Sequence, residues 1–399
     1  MTNIKMTNIF KFGALAFAAV AVASCGGDPA DPIDPIKTNK VITSNITANT
    51  TWYADTVYQL GGRITVTSGA TLTIQPGTVI KGEAGTGSNA TALLVARGGK
   101  LMAEGTASLP IIFTSVADEI TPEMVAAGDF ASPNLDPTIN GLWGGLIVLG
   151  NAKISPKPGT AGELLEVQIE GIPTSDPNGL YGGNNDADNS GSIRYVSLRH
   201  GGTNIGSGNE INGITFGGVG SGTVVENIEI VANQDDGVEW FGGTVNAKNV
   251  VVWNAGDDGL DTDQSWAGTC DNFAVITAAG HAFELDGPEG AYSAGHIFKN
   301  GNVVASNDDV ATQDLINTDA NSIVDMMDIY FTDVVAGQKI NRVTAAGVTY
   351  TGIVINVPAD SLANHVNGAV PAGVTAGATG KANISVFGWT WANAANVIK

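Results

Sequence analysis

Two neighbouring runs, Arg63-Ile64-Thr65-Val66-Thr67 and Ala70-Thr71-Leu72-Thr73-Ile74, alternate apolar and polar residues with period 2. Ser68-Gly69 separates them and Pro76-Gly77 closes the second, so both read as short strands between turns. Similar short runs follow at 78–80, 93–95, 100–102 and 110–113. From residue 193 the runs become regular. Those at 227–231, 249–253 and 272–276 each begin with Asn and are offset by 22 and 23 residues. Asn-Gly and Asp-Gly pairs do not sit where tight hairpins would need them. A strand recurring at this period, with Gly between, predicts one coil of a parallel β-helix per repeat. Asn at the same point of successive coils predicts a ladder of stacked amides.

The rhythm breaks in places. Residues 116–140 read as an insertion holding a short helix over 122–127, capped by Thr121. Residues 157–192 read as a second insertion, with a strand over 166–172. A helix is expected within 310–333. The alternating aromatics of Phe387-Gly388-Trp389-Thr390-Trp391 are expected to cap the open end of the solenoid, which would otherwise be an unpaired sheet edge.

The N-terminus belongs to none of this. Lys5 and Lys11 precede a short apolar run that ends in Val22-Ala23-Ser24-Cys25. That pattern predicts a lipoprotein signal peptide over 1–24, with Cys25 carrying the lipid. Residues 25–40, rich in Pro, Asp and Gly, read as a flexible acidic tether, and 41–399 as the β-helix domain. Gly26 after the Cys points to the outer membrane, and Asp28, Asp31 and Asp34 to its outer surface.

Removing the leader leaves 16 Lys+Arg against 39 Asp+Glu, a net charge of −23. Nucleic acid and anionic membrane surfaces are poor partners for such a chain, and divalent cations are good ones. Cys270 has no partner once Cys25 is lipidated, so no disulfide framework or Cys-based zinc site is expected. The four His show no metal-binding spacing.

The acidic residues are not scattered. Asn233-Gln234-Asp235-Asp236-Gly237-Val238-Glu239-Trp240 is answered 22 residues later by Ala255-Gly256-Asp257-Asp258-Gly259-Leu260-Asp261-Thr262-Asp263, then more loosely by Gly280-His281-Ala282-Phe283-Glu284-Leu285-Asp286. On stacked coils Glu239, Asp261 and Glu284 fall in one column, Asp235 over Asp257, and Asp236 over Asp258 and His281. Coils lie about 4.8 Å apart. Two carboxylates at that spacing repel by about 1 kcal/mol in water and about 3–4 kcal/mol at an effective dielectric of about 20. Three readings stand. The carboxylates are splayed into water as turn caps. Calcium binds Asp235, Glu239, Asp261, Asp263 and Glu284. Or raised pKa values serve catalysis by Asp236, Asp257, Asp258 and His281, with Asp258 as acid and Asp236 with Asp257 as base. Asp186-Ala187-Asp188-Asn189-Ser190-Gly191 opens like a calcium loop, though Ser197 replaces the closing Glu, so Asp186 and Asp188 are further candidate ligands. Trp240 and Trp266 are candidate platforms for stacking on sugar rings.

The phrases Leu142-Trp143-Gly144-Gly145, Glu210-Ile211-Asn212-Gly213, Glu239-Trp240-Phe241-Gly242-Gly243 and Trp389-Thr390-Trp391-Ala392 resemble a family of Bacteroidetes surface lipoproteins. The resemblance implies a right-handed parallel β-helix of pectin-lyase type and says little about chemistry. The order Asp235, Asp257, Asp258, His281 is also similar to the acidic site of polygalacturonase-type hydrolases, but the basic Arg-x-Lys of those enzymes is missing. The expectation is therefore a lipid-anchored outer-membrane module that binds extracellular polysaccharide or acts in adhesion, stabilised by calcium. The alternative is a polysaccharide-active glycoside hydrolase.

Overall fold

The computed structural model of the protein describes residues 38–160, 162–206 and 209–399. The predicted leader, Cys25 and the tether up to residue 37 lie outside them.

The strands of the solenoid run parallel, each coil's strands pairing with those of the next. Ile214–Gly217, Val238–Phe241, Leu260–Asp263 and Phe283–Leu285 are neighbours in an eight-stranded sheet. A 16-stranded sheet makes up the rest of each coil. This larger sheet turns a corner. Tyr195, Asn227, Asn249, Asn272, Asn300 and Asp328 occupy equivalent points of successive strands, all with φ between 49° and 62°. In the N-terminal coils the same corner is a break. Lys100–Glu104 and Ile111–Ser115 are separate strands that pair with the two halves of Gly191–Arg199. Each coil therefore has three sides.

The corner explains the Asn-led runs. A left-handed backbone conformation is costly for most side chains and least so for Gly, Asn and Asp. Asn249 Nδ2 donates to Asn227 Oδ1 at 2.9 Å, and Asn272 Nδ2 to Asn249 Oδ1 at 2.8 Å. The expected ladder is present, but it lies inside the long strands rather than at their starts.

Period-2 alternation sends one set of side chains inward. The core runs the length of the solenoid and includes Leu72, Leu93, Phe113, Val148, Phe216, Val250, Phe273 and Phe298. The outward set is partly apolar and is covered by added segments. Ile169, Ile172 and Tyr181 of the second insertion pack on Leu94, Ile147 and Leu149. In the first insertion Thr121 caps the helix Pro122–Ala127, and Gly128 ends it in a left-handed conformation. Ile120 and Val125 cover Val79 and Ile112.

Three expectations need correction. No helix occupies 310–333. The segment carries the strands Asn317–Thr318 and Ile323–Thr332, which continue the solenoid. Its strand periodicity was masked by the long loop that precedes it. In the second insertion the strand is only Val167–Gln168, paired antiparallel with Leu180–Tyr181. The C-terminal aromatics do not cover an end. Trp389 packs against Tyr195 and Trp391 against Trp253, on the flank of the solenoid.

Candidate functional site

The acidic repeat sits where strands of the eight-stranded sheet begin. Val238, Trp240, Leu260, Phe283 and Leu285 point into the core, so alternation turns Glu239, Asp261 and Glu284 to the opposite face. The register stacks Thr215, Glu239, Asp261, Glu284 and Asn317 in one column. The turns ahead of these strands stack as well. Asp236 Oδ1 accepts the N–H of Asp258 at 2.9 Å, and Asp258 Oδ1 accepts the N–H of His281. Each turn carboxylate thus caps the next coil rather than its own. Asn233 closes the first turn by donating to the Asp236 and Ile211 carbonyls.

Three groups of side chains converge: Asp235, Asp236 and Asp257; Asp236, Glu239 and Asp261; and Asp258, His281 and Glu284. Within each, ligand atoms lie within 4.8 Å of one another. Asp236 belongs to two of the groups, so the clusters form one acidic surface over three coils. The Lys and Arg ion pairs of the described residues involve none of these carboxylates.

Burial and mutual repulsion push the carboxylates of Asp236, Glu239 and Asp261 well above the usual range. The same causes raise Asp235 to about 7. Burial and the neighbouring Asp258 raise Glu284 to about 8. Burial, then Glu289 and Asp286, raises Asp263 to about 7 despite its bond from the Gln264 N–H. Burial and Asp258 raise Asp257. Asp258 is the exception. Burial would raise it, but hydrogen bonds from His281 and Glu284 outweigh that and hold it low. His281 Nδ1 stands 3.0 Å from Asp258 Oδ1; burial would lower the imidazole, but this pairing raises it. The two turn carboxyls are thus pushed in opposite directions, Asp258 down and Asp236 up.

Three of the expected sites do not form as expected. Trp240 and Trp266 are 0% exposed and stack on each other inside the core, with centroids 4.5 Å apart. Neither can meet a sugar. Asp186 is held by Lys153, with Nζ at 2.8 Å and the backbone N–H at 3.1 Å, and Asp188 accepts the N–H of Asn151. These bonds pin the second insertion to the coils. Among the described residues, no group of His, Cys, Asp or Glu converges around Asp186 or Asp188. Asp263 shares the outward face of Asp261 but stands outside the three groups.

The sequence reading missed Glu170, Glu210 and Asn212. The charges of Glu170 and Glu210 both act on Asp235, and Glu170 also raises Glu239, so Glu170 of the second insertion and Glu210 lie beside the cluster. Asn212 is 1% exposed; its Nδ2 donates to Glu239 Oε2, and among the described residues its Oδ1 has no hydrogen-bond partner. The phrase Glu210-Ile211-Asn212-Gly213 was the available signal for two of these. Glu170 lay in the strand expected over 166–172, where no repeat tied it to the acidic coils.

The match to known families follows this geometry. The family model described as "Pectate-lyase like beta helix domain" matches residues 44–357. The chain belongs to this pectate-lyase-like β-helix family. Its fold is accordingly a right-handed parallel β-helix, a fold used by polysaccharide-active enzymes and by binders. No curated protein matches the chain.

Proposed function

We propose that this β-helix is a cation-dependent polysaccharide-binding module and that its acidic face binds calcium. The observation that carries the reading is the in-register stack of Glu239, Asp261 and Glu284. The fold does not impose such a stack. On the larger sheet the column Glu104, Arg194, Glu226, Lys248, Asp271, Lys299 alternates in sign. There Arg194 lies 2.9 Å from Glu226, and Lys299 lies 3.6 Å from Asp271. Among the described residues the acidic column has no Lys or Arg partner, only His281 at 3.9 Å from Glu284, and it calls for a cation or for protons.

The residues fit calcium. Asp235, Asp236, Asp257, Glu239 and Asp261 offer hard oxygen ligands, and the unpaired Asn212 Oδ1 is a neutral oxygen beside them. The group with His281 is less suited to calcium, because an imidazole favours transition metals. Bound calcium would supply positive charge and open coordination positions for sugar hydroxyls. The protein's own part is to hold the carboxylates on a rigid sheet. Glycan binding measured with millimolar calcium and then with EDTA tests the reading. Calcium-dependent retention, lost in Glu239→Gln/Asp261→Asn, supports it; equal retention under both conditions overturns it.

A glycoside hydrolase is the second reading, favoured by the raised carboxyls of Asp235 and Glu284, near 7 and 8. Such groups can act as general acids at neutral pH. Against it, the described residues place no Lys or Arg ion-paired with these carboxylates, and the basic Arg-x-Lys of polygalacturonase-type hydrolases is missing from the sequence. Release of reducing sugar by the wild type, abolished in Asp257→Asn/Asp258→Asn, would establish it.

The lipobox supports a lipid anchor on Cys25, and Gly26 with the following Asp residues supports placement at the outer membrane, facing outward, as in Bacteroidetes surface lipoproteins. Membrane partition that is lost in Cys25→Ala checks the anchor.

A further inference from the structure

The last strand, Val374–Ala376, is followed by Gly377-Ala378-Thr379-Gly380, of which residues 378–380 are exposed. Residues 381–399 then lie against the outer face of the 16-stranded sheet. They add no strand to it. Among the described residues, none of their backbone groups bonds to the backbone of the coils.

Side chains of the coils hold the segment instead. Asn302 clasps both of its ends. Its Oδ1 accepts the N–H groups of Lys381 and Ala382 at 2.7 and 2.9 Å, and its Nδ2 donates to the Lys399 carbonyl at 2.7 Å. Asn272 Oδ1, at the end of the amide ladder, accepts the N–H of Asn383 at 2.6 Å. Glu229, fully buried, accepts the N–H of Ala392 at 2.9 Å and the Ser197 hydroxyl at 2.6 Å, with Arg199 Nη2 at 3.8 Å. The Arg199 guanidinium lies 5.0 Å from the centre of the Trp391 ring, which stands edge-on to Trp253. Phe387, Trp391 and Ala392 cover Val231, Val251, Ile276 and Val304. Backbone groups read by fixed side chains, with one aromatic anchor in an apolar site, are how a groove holds a bound peptide. A strand of the fold would be held by ladder bonds.

We propose that this groove is a docking site for the C-terminal segment, and that it accepts the segment of a second copy of the chain in exchange for its own. Gly377 still bonds to the Ile355 carbonyl of the preceding coil at 3.0 Å, so the exposed link of residues 378–380 is the hinge. Its short length governs whether the segment folds back on its own coils or crosses to a partner, and the contacts are the same in either case. This inference does not depend on the acidic face or on calcium.

Deleting residues 378–380 removes about 10 Å of reach and should force exchange. Sedimentation of that full-length variant should show a dimer, and adding Trp391→Ala should return it to monomer. A deleted chain that stays monomeric, or a dimer that survives Trp391→Ala, overturns the proposal. Hydrogen exchange on the wild type tests separability without any variant. The Asn383 and Ala392 amides should exchange at least about tenfold faster than that of Val250, through local opening. Exchange of all three at one rate, only on global unfolding, would contradict it.

Discussion

The Asp258–His281 pair sets the charge pattern of the acidic face. His281 sits 3.0 Å from Asp258 and faces Glu284 and Asp314 as well. Its imidazole should titrate above the ordinary value of about 6.5, and Asp258→Asn should move the midpoint down; NMR titration of the ring reads both. The residue scale also shows where sequence reasoning contradicted itself. Glu239 and Trp240 are neighbours on one strand, and period 2 forbids both from facing solvent. Placing Glu239 in an outward column already sent Trp240 inward, to 0% exposure. Trp240→Ala should accordingly cost about 3–5 kcal/mol of stability, as core Trp truncations do, measured by urea unfolding. Roles within the cluster were not legible, because they depend on burial and on Glu170, a residue supplied by a distant insertion.

At the scale of elements, the coil corner carries the register. Asn249 adopts φ 57° and stands between Asn227 and Asn272 in the ladder. Asn249→Ala loses both ladder bonds and puts Ala in a left-handed conformation that Asn tolerates better. The expected cost is about 2–3 kcal/mol in urea unfolding. Asn249→Gly should recover about 1 kcal/mol of that, since Gly tolerates the backbone but cannot bond. Equal losses would show that the ladder alone matters. The coils were readable from the Asn-led runs because those strands share one period. The strands after residue 304 were not, because loops of unequal length break the spacing. The C-terminal segment was misplaced for a related reason. Its aromatics do alternate, but Thr390 to Ala395 form a short capped helix against the flank, and the apolar surface that receives it is visible only once the coils are stacked.

For the molecule as a whole, stability should depend on pH in the direction set by the raised carboxyls. Asp235 and Asp263, near 7, and Glu284, near 8, keep their protons when folded, well above the unfolded values of about 4. Between those limits the folded chain binds more protons than the unfolded one, so stability falls as pH rises. The contribution is full below about pH 4 and is lost through about pH 7–8. Without metal, the melting midpoint should drop across that window, and Asp261→Asn should flatten the drop. Calcium should replace the protons, releasing them on binding and removing most of the slope.

The acidic face binds its cation where Asp236, Glu239 and Asp261 converge. The most direct test is the melting midpoint of EDTA-treated protein at pH 8, with and without millimolar calcium. Saturation to about 100 times Kd corresponds to about 2.7 kcal/mol, so calcium should raise the wild-type midpoint by several degrees and leave Glu239→Gln/Asp261→Asn unmoved. A wild-type midpoint that ignores calcium, or a shift of equal size in the variant, would contradict the account.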